Sequence, residues 1–142
     1  MTVTAGADLE QLLSTVAYRL TRRLTALLEG QGSTLEEWRV LSLLSVDDGQ
    51  SMSRIAAYGM LAAPTLTKVI DRMVDANLVY RRGDEKDRRR VLVHLAPRGR
   101  TLFAGLSARV ERDRVERDAA LSTAVDPVVL TALLGDVLAA LE

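Results

Sequence analysis

The spacing of apolar residues along this chain changes period twice, and that change constrains the fold more than any other feature. From Asp8 to about Glu29, the residues Leu9, Leu12, Leu13, Val16, Leu20, Leu24, Leu27 and Leu28 recur every three or four positions, the period of an amphipathic helix. Helical spacing continues to Met73. The runs Leu78-Val-Tyr-Arg-Arg82 and Val91-Leu-Val-His-Leu95 then alternate with period 2, and helical spacing returns from Pro97. Such a chain is mainly α with one small β-hairpin set between helices.

Start and stop signals divide the helical part. Gly30 and Gly32 end the first helix, and Thr34-Leu-Glu-Glu37 has the form of a capping box that opens a second through Trp38, Val40, Leu41, Leu43 and Leu44. Asp47-Asp-Gly49 reads as a turn. Ser51 or Ser53 caps a short third helix through Ile55, Ala56 and Ala57, closed by Gly59. Pro64 suits the first turn of a fourth helix with Leu66, Val69, Ile70 and Met73 on its apolar stripe, and Asn77 is a left-handed stop. Gly83 to Arg90 forms a charged hairpin tip. Pro97 opens a fifth helix with Leu102, Phe103, Leu106 and Val110, and Asp126-Pro127 opens the last. The expected order is α-α-α-α-β-β-α-α.

Composition excludes much chemistry. At 142 residues the expectation is a single domain over 1–142. With no cysteine and one histidine, His94, there is no thiol nucleophile, and neither a metal site nor a cofactor is expected. No glycine loop for phosphates and no facing carboxylate pair stands out, so the chain is not expected to be an enzyme. No apolar run approaches the roughly 18 residues that span a bilayer, and Met1 to Gln11 lacks the pattern of a secretory leader, so a soluble, cytoplasmic protein is expected.

The formal net charge is zero, but the charge is unevenly spread. Between Arg81 and Arg100 eight Lys and Arg stand against three acids, and the rest of the chain carries the compensating acidic excess. One face suited to an anion is implied. Two short helices followed at once by a basic hairpin form a winged helix-turn-helix. A helix about 10 to 12 Å across fits the major groove of double-stranded DNA, and a hairpin tip reaches the adjacent minor groove. The expected contacts are Thr65, Thr67, Lys68 and Arg72 on the fourth helix and Arg88, Arg89 and Arg90 at the tip, with Ser53 and Pro64 completing the set. Bland readings stand beside these: a solvated loop for the tip, and exposed helix formers for Lys68 and Arg72. One tip arginine could instead brace the wing by pairing with Asp87 or Asp71.

Outside this lobe, Arg109 to Asp118 reads as a solvated helix face with pairs such as Asp113–Arg117 and Arg114–Asp118. His94 reads as an exposed strand residue. Trp38 reads as core, with lining of an effector pocket as the alternative.

The run Pro64-Thr-Leu-Thr-Lys-Val-Ile-Asp-Arg-Met73, with Leu78-Val-Tyr-Arg81, Asp87-Arg-Arg89, Val91-Leu-Val93 and Leu95-Ala-Pro-Arg-Gly99, resembles the core of MarR-type regulators. The resemblance implies a homodimer built from the first and last helices, a pseudo-palindromic operator, repression, and release by a small molecule that no residue here identifies. On that plan the winged lobe covers about 34–97 and the dimerisation helices about 8–33 and 98–142. Asn77 stands where the family often has Gly, and Ala96 where it has a capping Thr or Ser. Ala62 and Ala63 fill often-polar positions, shifting readout toward thymine methyl contact. The alternative function is a winged-helix dimer that acts as a protein-interaction module without DNA.

Overall fold

The computed structural model describes residues 8–142. Residues 1–7, on which part of the expected absence of a leader rests, lie outside the described residues. Helices α1 (Leu9–Glu29), α2 (Leu35–Val46), α3 (Met52–Gly59) and α4 (Ala63–Asp75) precede the hairpin strands β2 (Val79–Gly83) and β3 (Val91–Leu95). Helices α5 (Pro97–Leu121) and α6 (Pro127–Ala140) follow. A two-residue strand, β1 (Gln50–Ser51), lies between α2 and α3 and makes the sheet three-stranded and antiparallel, in the order β1-β3-β2.

That third strand is absent from the expected order. Gln50 and Ser51 pair with Val93 and Leu92, yet neither is β-branched or part of an alternating run, so nothing local marks them. What holds them is the neighbouring turn. Asp48 accepts the Leu95 N–H at 2.8 Å through Oδ1 and the Arg100 guanidinium at 3.0 Å through Oδ2. Its carboxylate therefore ties the end of α2 to the end of β3 and the start of α5, 47 and 52 residues away.

The helix boundaries follow the local chemistry. Thr34 Oγ1 accepts from Glu37 N at 3.2 Å, and Glu37 Oε2 accepts from Thr34 N at 3.3 Å, closing the capping box, while Ser33 Oγ also donates to that carboxylate. Ser51, not Ser53, caps α3 by accepting from Arg54 N. Asn77 adopts φ 59°, as a left-handed stop requires. Asp126 caps α6 through Val128 N at 2.8 Å. At the end of α3 the expectation fails: Gly59 stays helical and Met60 takes the left-handed turn at φ 52°.

The chain divides into two compact units, one ending at Leu106 and one running from Ser107 to Glu142. In the first, Leu28, Val40, Leu41, Leu44, Ile55, Leu66, Ile70, Met73, Val79 and Val93 form a core drawn from α1 to α4 and the sheet. Trp38 stacks on Phe103 with centroids 5.3 Å apart, both half-buried. His94 is half-buried rather than exposed, because it stacks on Tyr80 at 5.3 Å and lies beside the Asp48–Gly49 turn. In the second unit Arg114 pairs with Glu111, and Arg117 with its neighbour Asp118, in place of the expected Arg114–Asp118 pair. Leu9, Leu12, Leu13 and Val16 of α1 are exposed, as are Val129, Leu133, Leu134 and Val137 of α6. Among the described residues no helix is long and apolar enough to cross a membrane.

Gly99 shows why the exit from the hairpin is so particular. A Cβ there would lie 2.0 Å from the Leu78 carbonyl oxygen, which already accepts the Ala96 N–H. Gly99→Ala forces main chain apart, and we expect a loss of about 2 kcal/mol in urea denaturation. Gly105→Ala, which meets nothing within 4 Å, is expected to be neutral or stabilising by up to about 1 kcal/mol. Equal stability of the two variants would refute this account of Gly99.

Candidate nucleic-acid interface

Helix α4 separates its two faces sharply. Leu66, Val69, Ile70 and Met73 are buried, whereas Pro64, Thr65, Thr67, Lys68 and Arg72 are all exposed. Thr67 Oγ1 donates to Ala63 O at 3.0 Å, so that hydroxyl is turned to its own helix and its outward offering is a methyl and a lone pair. Ala62 at the N-cap contributes no side-chain hydrogen bond, which leaves the first amides of α4 uncapped and its positive end open. An open groove of about 700 Å³ runs beside the helix, lined by Thr34 and Glu36 of α2 and by Thr65, Lys68, Val69, Asp71 and Arg72.

The turn that sets the approach of α4 is held from two directions. Leu61 N donates to Ala56 O at 2.9 Å, and Arg39 of α2 donates to Gly59 O at 3.0 Å. Ser53 is exposed in the first turn of α3, with its hydroxyl 3.2 Å from that of Ser51. Beside it, Arg54 is exposed and its guanidinium has no hydrogen bond or ion pair among the described residues. Sequence reasoning did not single out Arg54, although its place in the first turn of α3 beside the buried Ile55 was legible.

The wing is ordered by its own acids. Asp84 Oδ1 accepts from Lys86 N at 2.9 Å and Asp87 Oδ1 from Arg89 N at 3.0 Å, two successive side-chain turns. Asp84 N donates to Arg90 O, Arg90 N to Asp87 O, and Arg82 pairs with Glu85. Arg88, Arg89 and Arg90 are exposed, and none of their guanidinium groups has a hydrogen bond or ion pair among the described residues. The expectation that one of them braces the wing through Asp87 or Asp71 is thereby corrected. The Asp87 carboxylate accepts the Arg89 amide, and Asp71 is taken by Arg81 of β2 at 2.5 Å.

A helix pair closed by a tight turn, with an ordered basic hairpin beside the second helix, is a winged helix-turn-helix. The model of the MarR family matches residues 33–91, which span the helix pair and the wing as far as the start of β3. Along the whole chain the fold is that of a MarR family transcriptional regulator from Silicibacter pomeroyi DSS-3, with TM-score 0.84, 26% identity and 100% of both chains covered. A MarR family protein of Mycobacterium tuberculosis, in complex with salicylic acid, matches with TM-score 0.71 and 26% identity over 99% of this chain and 100% of that one. Among curated proteins, the transcriptional activatory protein BadR of Rhodopseudomonas palustris is 36% identical over 86 residues, 58% of this chain and 49% of BadR. The chain spans about half the length of the curated relatives it matches.

Residues 33–91 thus match the MarR family, whose members are transcriptional regulators rather than enzymes.

The left-handed Met60, 77% exposed, makes a separate point. A side chain in this conformation costs about 1 kcal/mol and gains no burial here. Met60→Gly is expected to raise stability by about 0.5 kcal/mol in chemical denaturation; a loss of stability would show that the Met60 side chain makes a compensating contact.

Proposed function

We propose that this chain is a cytoplasmic, sequence-specific DNA-binding regulator that acts as a homodimer on a pseudo-palindromic operator and represses until a small molecule releases it. The observation that carries the reading is the set of uncommitted cations on one lobe. Lys68 and Arg72 on α4 and Arg88, Arg89 and Arg90 on the wing are exposed and without a hydrogen bond or ion pair from their charged groups among the described residues, while Asp71, Asp84, Glu85 and Asp87 are engaged. Guanidinium groups held this way suit phosphates and a narrow minor groove.

In this reading α4 enters the major groove. Thr65, Thr67, Lys68 and Arg72 supply base and phosphate contacts, Pro64 and Ser53 meet the backbone at the edges, and the wing arginines follow the flanking minor groove. The winged lobe, about 34–97, is carried by dimerisation helices over about 8–33 and 98–142. Two apolar stripes support that role: Leu9, Leu12, Leu13 and Val16 on α1, and Leu133, Leu134 and Val137 on α6. Left in water they would be unusually large apolar patches, which a second copy would cover. The salicylate complex of the mycobacterial relative suggests an aromatic carboxylate as the class of effector. Such a ligand acts only through its preference for a dimer whose recognition helices are wrongly spaced for the operator.

Selection from a pool of random duplexes at two salt concentrations tests this. We expect an inverted repeat to be enriched, affinity to fall steeply with salt, and Arg88→Ala/Arg89→Ala to weaken binding and flatten the salt dependence by about two phosphate contacts. Millimolar salicylate is expected to lower the bound fraction. No enrichment, with variant and parent alike, would sink the reading and leave a protein-interaction module as the account of the wing.

A further inference from the structure

We infer that the Asp71–Arg81 ion pair is a positioning device that fixes the wing against the recognition helix, so that an acid on the DNA-facing surface strengthens duplex binding instead of opposing it. The inference rests on the reading of α4 and the wing as a duplex-binding surface.

Three observations lead to it. First, the pair is the ion pair that joins α4 to the hairpin among the described residues, with Arg81 Nη2 2.5 Å from Asp71 Oδ1. Lys68, three residues back on the same helix, forms no pair with Asp71, so this acid is directed across elements. Second, β1 holds β3 at Val93 and Leu92, and Val93 and Leu95 are buried, whereas the outer strand β2 is anchored by packing only at its root. Leu78 and Val79 are buried, Leu78 N donates to Met73 O at 2.9 Å, and Tyr80 to Gly83 are exposed. The covalent joint of β2 to α4 is the short segment 76–78, in which Asn77 is left-handed. From the root to the tip is about 20 Å at the usual rise per strand residue. A rocking of about 5° at the root would displace the tip arginines by about 2 Å, enough to lose a guanidinium contact. Arg81 ties the exposed part of β2 to α4, on the side of the sheet that β1 does not hold.

Third, the location of Asp71 makes its charge costly unless it does something else. It lines the groove beside α4 together with Lys68 and Arg72, where an unpaired carboxylate would repel phosphate. Arg81 both neutralises it and draws its orientation from it. The hairpin's basic count therefore overstates the contacts it offers: Arg81 acts through Asp71, not through DNA.

The two roles predict opposite signs. If Asp71 were only a charge near DNA, Asp71→Asn would tighten binding, Arg81→Ala would weaken it, and the double variant would return to the parent. As a positioning pair, each single change weakens operator binding about threefold to fivefold, the ceiling for an exposed ion pair. The double variant is no worse than either single, and Asp71→Arg/Arg81→Asp restores most of the loss. The lost discrimination falls on the flanking bases that the wing meets, not on those under α4. Free protein gives a readout without DNA: hydrogen exchange at β2–β3 amides beyond Val79 quickens in Asp71→Asn, while α4 amides and Tm stay as in the parent. Tighter or unchanged operator binding by Asp71→Asn, or unchanged hairpin exchange, overturns the inference while parent binding leaves the functional reading intact. Failure of the parent to bind any duplex overturns both.

Discussion

The Asp48 carboxylate holds together parts of the lobe that the chain visits far apart. Its two oxygens accept from β3 and from the first turn of α5, while the residues that follow it add β1 to the sheet. A charge-assisted bond to a backbone amide that would otherwise be partly buried contributes on the order of 1.5 to 3 kcal/mol. Two residues of strand could not pair durably without it. β1, which leads into α3, thereby forms one edge of the sheet and β2 of the wing the other, with β3 between them. On the wing side, the Leu78 carbonyl meets the Ala96 amide and leaves no room for a side chain at Gly99. These two junctions, with the Asp71–Arg81 pair, set where α4 and the wing stand relative to each other.

Elements with a long period and an explicit end could be read from residues alone. The six helices, the hairpin, the capping box at Thr34, the stop at Asn77 and the exposed polar face of α4 all carry local signals, and the structure bears each of them out. What was missed depends on tertiary partners. β1 has no propensity of its own. Met60 replaces Gly59 as the left-handed residue because Gly59 is buried and its carbonyl is held by Arg39, which moves the turn one residue along. His94 is covered because Tyr80 is its cross-strand neighbour, a matter of register. The partner of Asp71 could not be chosen from sequence, since several arginines lie within reach along the chain and only the hairpin's path selects Arg81.

Formal neutrality conceals a division of labour between signs. In the lobe, acids are largely structural: Asp48, Asp71, Asp84, Asp87 and Glu37 each accept bonds that shape a turn, a cap or a junction. The cations of α4 and of the wing tip are not used in this way. A charge count therefore understates how positive the outward surface is, because each engaged carboxylate has been turned toward the backbone or toward a bracing arginine.

The order of the wing tip has a consequence for how such a chain can change over evolutionary time. Its shape rests on Asp84, Asp87 and main-chain bonds, and the three arginine side chains contribute nothing to it. The residues that shape the loop and those that present its charge are thus different. In the proposed DNA-binding role, substitutions at 88 to 90 can accumulate and retune which flanking sequences are preferred while the loop keeps its form, whereas a change at 84 or 87 alters every preference at once. Divergence of target sites within a lineage is then expected to track the arginine positions and leave the two aspartates alone.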